Sequence, residues 1–299
     1  MRVENLRYFK KLAELESFTK AANELYISQS TLSSAIKRLE NELGVQLLNR
    51  YKSSSVTMTA SGESFYRYVT QALNILDLGT EVAREAAGIT RKTLLVGTIY
   101  AMQNEAWSRS LDEFRKSASC DPQIEIEQGF SAVLMDHLKK GNLDVIFASK
   151  ITDDPEFRFT PCCSQRLVVA VNRSHPLSRQ KRIGLSSLKG KHLVSYRDNV
   201  AGKSDVKAFA DRAGLDVEWK YESEITLCSM VVSNPNNIAL FSYSFLADAF
   251  KDVVCIPVED VPLDFHPIYL ISRREEQPKL VDEFVEFMRA YPFPDMTPE

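Results

Sequence analysis

The chain has 299 residues, 44% hydrophobic and 26% charged, proportions that exclude a disordered polypeptide, a fibrous repeat or a small disulfide scaffold. Two or three domains are expected at roughly 100–200 residues each. The formal net charge of −3, taken whole, speaks against a nucleic-acid partner, because a phosphate-tracking surface shows itself as an excess of Lys and Arg. Divided at residue 60 the count reads differently, with nine Lys/Arg against six Asp/Glu before it and 28 against 34 after it. A basic N-terminal unit on an acidic body fits a protein with one nucleic-acid-facing end. No apolar run reaches the roughly 20 residues that span a bilayer, and MRVENLRYFKKL at the start has no signal-peptide core. The expected location is the cytoplasm, with no membrane partner, and an odd count of five cysteines fits a reducing compartment.

Val3, Leu6, Phe9, Leu12 and Ala13 recur at helical spacing, which predicts an amphipathic helix over 2–15. Thr19 is the expected N-cap of a short second helix carrying Ala21, Ala22 and Leu25. Ser28 caps a third, with Leu32, Ile36 and Leu39 inward and Gln29, Ser30, Ser33, Ser34 and Lys37 outward. Two helices around a tight turn at Tyr26 and Ile27 describe a helix-turn-helix. Base edges are read by short donors and acceptors on the first turns of an inserted helix, a role open to Gln29, Ser30, Thr31, Ser33 and Ser34, with Lys37 and Arg38 behind them. The bland alternative is that these residues only solvate a surface helix. After Gly44, Leu47-Leu48 and Val56–Met58 can pair as a wing around 52–55, placing Arg50 and Lys52 beside a duplex. With Thr19 and Ser28 these residues complete the candidate DNA contacts.

Thr59 is the expected cap of a long helix reaching about Ala87, with Phe65, Val69, Leu73 or Ala72, Leu76 and Ala83 as its apolar seam. Gly79 interrupts it at a cost of about 1 kcal/mol. A span of about 43 Å at 1.5 Å per residue is too long for a sixty-residue domain to cover, so a partner helix from a second copy is expected.

From residue 91 strands and helices alternate. Strands are expected at Thr93–Thr98, Gln123–Gln128 and Leu143–Ala148, with helices near Asn104–Ser117 and Ser131–Lys140. A second set has strands at Arg166–Asn172, His192–Tyr196, Val217–Glu222 and Ile238–Ser242 and helices near Lys203–Ala213 and Leu227–Ser233. A last strand, Pro267–Ser272, and helix, Pro278 to about Tyr291, return to the first set. That order predicts βαβ units, a parallel sheet and helices on both faces. Ligands of open α/β sheets bind beyond the carboxyl ends of strands, which selects Thr98, Ile99, Tyr100, Phe130, Ser131, Ser149, Tyr196, Arg197, Gly202, Lys203 and Thr226. Helix N-termini at Ser131 and Gly202-Lys203, with Lys203 and Arg197 nearby, favour a small organic anion.

Ser17 to Arg50 resembles, without gaps, the winged helix-turn-helix of LysR-type transcriptional regulators, through Ala21-Ala22, Leu25, Ser28-Gln29, Leu32-Ser33, Ile36, Leu39-Glu40, Leu43-Gly44 and Arg50. Ser30 stands where the family usually has Pro, and Ser34 where a long basic or polar side chain is common. Gly141-Asn142-Leu143-Asp144 and His175-Pro176-Leu177 resemble the effector domains of the same family, while Ser233–Asn237 replaces its usual Gly-containing turn. The resemblance implies a DNA-binding domain over 1–58, an antiparallel dimerisation helix over 59–90 and a bilobal, periplasmic-binding-protein-like (type 2) effector domain over 91–299. Lobe I would be 91–161 and 266–292, and lobe II 162–265. It also implies a wing arginine on backbone or minor groove, double-stranded DNA, a small-molecule effector and a second copy as partners, with tetramers and RNA polymerase as further candidates.

Enzyme motifs fail. Gly202-Lys203-Ser204 resembles the end of a phosphate-binding loop, but Arg197 occupies the position of its first Gly. There is no GxGxxG or GxSxG, and His137, His175, His192 and His266 lack metal-ligand spacing. No cofactor is expected, and catalysis in the cleft is the weaker alternative. A thiol switch bridging Cys162 or Cys163 to Cys228 in lobe II is the other alternative, since a vicinal Cys162–Cys163 bridge is strained.

Overall fold

The computed structural model describes residues 1–50, 56–89 and 91–298, with the backbone alone at Arg50. They form two compact units, Met1–Ile89 and Thr90–Glu299.

The first unit runs α1 (Val3–Leu15), α2 (Phe18–Glu24), α3 (Gln29–Leu43), β1 (Leu48–Arg50), β2 (Val56–Met58) and α4 (Ala60–Ala86). Apolar residues three and four apart put Phe9 and Leu12 of α1 against Ala21 of α2 and Leu32, Ile36 and Leu39 of α3, all at 0% exposure. The alanines leave room for close helix approach. The cap of α2 is Ser17, whose Oγ accepts the Lys20 N–H at 3.4 Å; Thr19 lies inside the helix. Ser17 has extended backbone, as an N-cap requires, and its hydroxyl reaches the third residue on.

Thr59 caps α4 by accepting the Gly62 N–H at 3.0 Å, and its own hydroxyl donates to Gln46 O at 2.8 Å. A Cβ at Gly62 would fall on the Leu47 carbonyl oxygen, so only glycine lets α4 start this close to the wing. The seam of α4 divides in two. Phe65 meets Phe9 with ring centroids 5.7 Å apart, and Val69 and Leu73 are buried under α1. The first half is therefore covered within the chain, contrary to a seam left wholly for a partner. Tyr68, Ile75 and Leu76 stay 70%, 62% and 49% exposed.

The second unit contains β3 (Thr93–Thr98), α5 (Glu105–Ser117), β4 (Gln123–Gln128), α6 (Ser131–Lys139), β5 (Val145–Ser149), β6 (Phe157–Gln165), β7 (Leu167–Asn172), β8 (His192–Tyr196), α7 (Lys203–Ala213), β9 (Asp216–Tyr221), α8 (Glu224–Ser233), β10 (Ile238–Ser242), β11 (Val253–Pro257), β12 (His266–Arg273) and α9 (Lys279–Ala290). Two five-stranded sheets, ordered β4-β3-β5-β12-β6 and β11-β7-β10-β8-β9, form the two lobes.

Both sheets are mixed rather than parallel. β4, β3 and β5 are parallel neighbours, as are β10, β8 and β9. β12 returns from the second lobe and lies antiparallel between β5 and β6, and β7 and β11 add antiparallel strands to the second sheet. The connections explain the difference: β7 and β12 each enter their sheet from the other lobe rather than through a crossover helix, and only such crossovers impose parallel pairing; β6 and β11 are strands the sequence did not predict. β6 keeps to the first sheet through Gln165, so the first passage between lobes falls at Arg166, beyond the expected boundary after residue 161.

Asp144 closes the Gly141–Asp144 turn onto β3. It is 3% exposed, accepts from Arg91 at 2.9 and 2.6 Å, and accepts the Leu95 N–H at 2.8 Å. In the Ser233–Asn237 turn no residue has positive φ. Asn234 Oδ1 instead accepts the Asn236 N–H at 3.1 Å, and Asn237 Nδ2 donates to Met230 O at 2.8 Å.

Candidate nucleic-acid interface and inter-lobe cleft

Ser28 organises the start of α3. Its Oγ accepts the Thr31 N–H at 3.0 Å and lies 2.8 Å from Ser30 Oγ and 2.7 Å from Thr31 Oγ1. This hydroxyl cluster fixes the first turn while leaving Gln29, Ser30, Thr31, Ser34, Lys37 and Arg38 exposed; Ser33 is half-buried, and Thr19 is exposed on α2. A concavity of about 850 Å³ lies between the C-terminal half of α3 and the wing, lined by Lys37, Asn41, Gln46 and Asn49 among others. Arg50 lies on β1, and Lys52 falls outside the described residues.

Two residues of this unit had no assigned role. Tyr26 is 95% exposed, with φ of 55° in the turn before α3, a left-handed backbone that side chains other than glycine rarely adopt. Its only sequence signal is its place two residues before the cap. Glu40, 9% exposed, accepts the N–H groups of Leu47 and Leu48 at 2.9 and 3.2 Å, tying the start of the wing to α3.

In the second unit the strand-end rule gathers Thr98, Ser131, Ser149 and Tyr196, all at most 4% exposed, and Ile99 at 9%. The Ser149 N–H donates to Ser131 Oγ at 3.2 Å, and burial pushes the Tyr196 phenol well above its ordinary pKa. Tyr100 and Phe130, 45% and 53% exposed, meet edge to face at 5.9 Å. His266, 6% exposed, lies 2.8 Å through Nε2 from Ser149 Oγ, and its Nδ1 lies 2.7 Å from an Asp205 carboxylate oxygen. Gly202 packs against the His266 ring and Ser242. Sequence spacing gave no sign of His266, Asp205 or Ser242, because each becomes a neighbour only through the fold.

The cations expected in this cleft are turned elsewhere. Arg197 pairs with Glu222, and Lys203 pairs with Asp198 while lying 5.3 Å above the Trp219 ring. All three partners lie on or beside β8 and β9, and β9 is a sheet edge. Thr226 sits in the first turn of α8, its N–H donating to Ser223 Oγ at 3.3 Å.

Residues 87–292 match the LysR substrate binding domain, and residues 3–63 match the bacterial regulatory helix-turn-helix protein, lysR family. The chain belongs to the LysR family. It is a LysR-type DNA-binding transcriptional regulator with an effector-binding domain. Similar to it are the transcriptional regulator BenM of Acinetobacter baylyi, 29% identical over 97% of this chain and 95% of BenM, and BudR of Raoultella terrigena, 30% identical over 96% of this chain and 99% of BudR. Full-length CbnR crystallised with its target DNA shares the fold, with a TM-score of 0.70 and 22% identity over 97% of this chain and 99% of that one.

Within this LysR regulator the thiol alternative would need a bridge between the two lobes. Cys162 and Cys163 lie on β6 of the first sheet, whereas Cys228 lies on α8 of the second lobe, so the expected bridge is not one within lobe II. Burial pushes the Cys162, Cys163 and Cys228 thiols up to about 12, which suppresses the reactive thiolate. Among the described residues no helix is long and apolar enough to cross a membrane.

Proposed function

We propose that α3 and the wing of two copies read paired half-sites of an operator, and that a small organic anion entering between the lobes changes the regulator's activity. The observation that carries the DNA assignment is the exposed, hydroxyl-lined face of α3, capped at Ser28 and followed by Lys37 and Arg38. Short hydroxyls and an amide suit base edges, while Lys37, Arg38, Arg50 and Lys52 suit phosphate. Dimerisation rests on Tyr68, Ile75 and Leu76, an apolar strip on α4 that the described residues leave 70%, 62% and 49% exposed. Paired heads multiply a contact that one head makes weakly.

The proposed domain roles are DNA reading by 1–58, pairing of copies by 59–90 and effector binding by 91–299, with dimers assembling into tetramers and acting on RNA polymerase in the cytoplasm. The ligand must bind one arrangement of the lobes better than another, because equal affinity shifts nothing. Selection of duplexes from fragmented genomic DNA by the full-length protein tests the reading. Enrichment of a motif with two-fold symmetry is expected, and uniform recovery of all fragments overturns sequence-specific binding.

A further inference from the structure

Of the 28 Lys/Arg that follow residue 60, six fall between residues 173 and 191, a stretch without Asp or Glu, which leaves 22 against 34 acids for the rest of the body. An acidic body thus carries one strongly basic segment, the connection from β7 to β8. Ile183, Leu185 and Leu188, at most 3% exposed, anchor it to the core of the second lobe. The Ile183 N–H donates to Pro257 O at 3.0 Å, which lays the chain along β11, the outer strand of its sheet. With the apolar residues turned inward, Arg173, Arg179, Lys181, Arg182 and Lys189 are exposed.

The charges are gathered and unspent. Burial first, and the Lys191 charge second, push the His175 imidazole below its ordinary pKa, a sign that the two ends of the segment meet. Among the described residues the side chains of Arg179, Lys181, Arg182, Lys189 and Lys191 make no ion pair or hydrogen bond. Asp252, Glu259 and Asp260 lie alongside, too few to neutralise six cations, and Asp260 is engaged by the Leu185 N–H at 3.1 Å. The segment also stands apart from the cleft. Asn172, at the end of β7, pairs with Val253, and Val171 with Ile238, the first residues of β11 and β10, whereas Tyr196 and Ser242 close the opposite ends of β8 and β10.

The chemistry of this face selects its partner. Its exposed residues are Lys, Arg, Ser and Gln together with Pro176 and Gly190, and no large hydrophobic side chain is exposed among them. Protein interfaces are poor in Lys and Ser and rich in aromatic side chains, whereas phosphate oxygens are contacted by Arg, Lys, Ser and Gln. We propose that the 173–191 face of lobe II is a second DNA-contacting surface, one that holds duplex by its phosphates without reading sequence. It goes beyond the assignment of DNA to the heads: α3 and the wing select the site, and lobe II adds counterion release from the duplex it meets.

Binding of the full-length protein to a mixed-sequence duplex of about 60 base pairs is followed by fluorescence anisotropy from about 50 to 200 mM KCl. Arg179→Ala, Lys181→Ala, Arg182→Ala and Lys189→Ala combined are expected to lower the slope of log affinity against log salt by about 3 to 4, at about 0.9 per phosphate contact. Arg109→Ala, Lys116→Ala, Lys150→Ala and Lys207→Ala combined remove the same charge from cations that are paired with acids elsewhere on the body, and should keep the slope within about 1 of the wild type. A fall under about 2 in the first variant, or one no larger than in the second, overturns the proposal. Contact is read directly by acylating lysines with an N-hydroxysuccinimide ester and locating the label by mass spectrometry. Saturating duplex should slow labelling of Lys181 and Lys189 severalfold and leave Lys150 and Lys207 unchanged; equal rates at Lys181 and Lys189 with and without duplex overturn the surface. An unchanged slope with a smaller mass in sedimentation equilibrium overturns it too, and assigns the face to a second copy of the chain. Because the probe has no operator, failure here leaves site selection by α3 and the wing standing, and failure to enrich a symmetric motif leaves this surface standing.

Discussion

Glu40 is a single side chain on which the wing of the DNA-binding unit depends. Its Oε1 accepts two N–H groups, at 2.9 Å from Leu47 and 3.2 Å from Leu48, residues that are themselves 1% and 3% exposed. Glu40→Ala leaves both buried donors without their acceptor, at up to about 1–3 kcal/mol each, or about 2–6 kcal/mol together. An 89-residue unit has a total stability of only about 4–13 kcal/mol, so the loss falls first on the wing and then on the unit. Glu40→Gln keeps the accepting oxygen but loses its charge, at about 1 kcal/mol. Hydrogen exchange measured by mass spectrometry over residues 44–49 reads the effect where it arises. Since 1.4 kcal/mol is a factor of ten, Glu40→Ala should speed exchange there at least about thirtyfold and Glu40→Gln about fivefold. Operator affinity should fall in the same order. Exchange in Glu40→Ala within about threefold of the wild type refutes the assignment of Glu40 as the anchor of the wing.

Asp144→Ala leaves Arg91 and Arg273, with side chains 17% and 14% exposed, facing an empty buried position, and should destabilise the second unit by about 3–5 kcal/mol. Both tryptophans of the chain, Trp107 and Trp219, lie in that unit, so their fluorescence in a urea titration follows it alone; a change under about 1 kcal/mol contradicts the assignment. Lys37→Ala should weaken binding to all duplexes and reduce the slope of affinity against salt by about 1, whereas loss at one base position alone would assign Lys37 to base reading. Replacing Ile75 and Leu76 together by Glu should convert dimers to monomers in sedimentation equilibrium, and an unchanged mass would place the interface elsewhere. With thiols held at about 12, about one in ten thousand is ionised at pH 8, against about a quarter for a thiol at 8.5. Native Cys162, Cys163 and Cys228 should therefore alkylate about a thousandfold more slowly than in urea, and rapid labelling without denaturant would revive the redox reading.

Local signals made the helices legible. Ser28, Thr59 and Asn104 cap where short polar side chains precede apolar periodicity, and each accepts the expected N–H three residues on. Ser17 and Thr19 offered two capping residues in three positions, a choice that local sequence does not decide. β6 was missed because Pro161, Cys162 and Cys163 interrupt any alternation along Phe157–Gln165, and its pairing with β12 joins segments about a hundred residues apart. The cleft was half legible. Strand-end positions such as Thr98 and Ser149 follow from the order of elements, but His266 meets Ser149 and Asp205 across 117 and 61 residues. Arg197 and Lys203 were assigned by charge, and their acidic neighbours Glu222 and Asp198 claimed them.

The fastening of α4 to the wing has a mechanical consequence. Thr59 binds Gln46 and Leu47 through its hydroxyl and its N–H, and Gly62 seats the helix on the Leu47 carbonyl. With the helix fastened to the wing at that end, the helix and the reading head turn together as one lever. Over 27 residues the lever is about 40 Å long, so a tilt of about 5° about its far end carries the reading head through about 3.5 Å, roughly one base-pair step of a duplex. A displacement too small to disturb any packed core is thus enough to move a reading head out of register with its half-site.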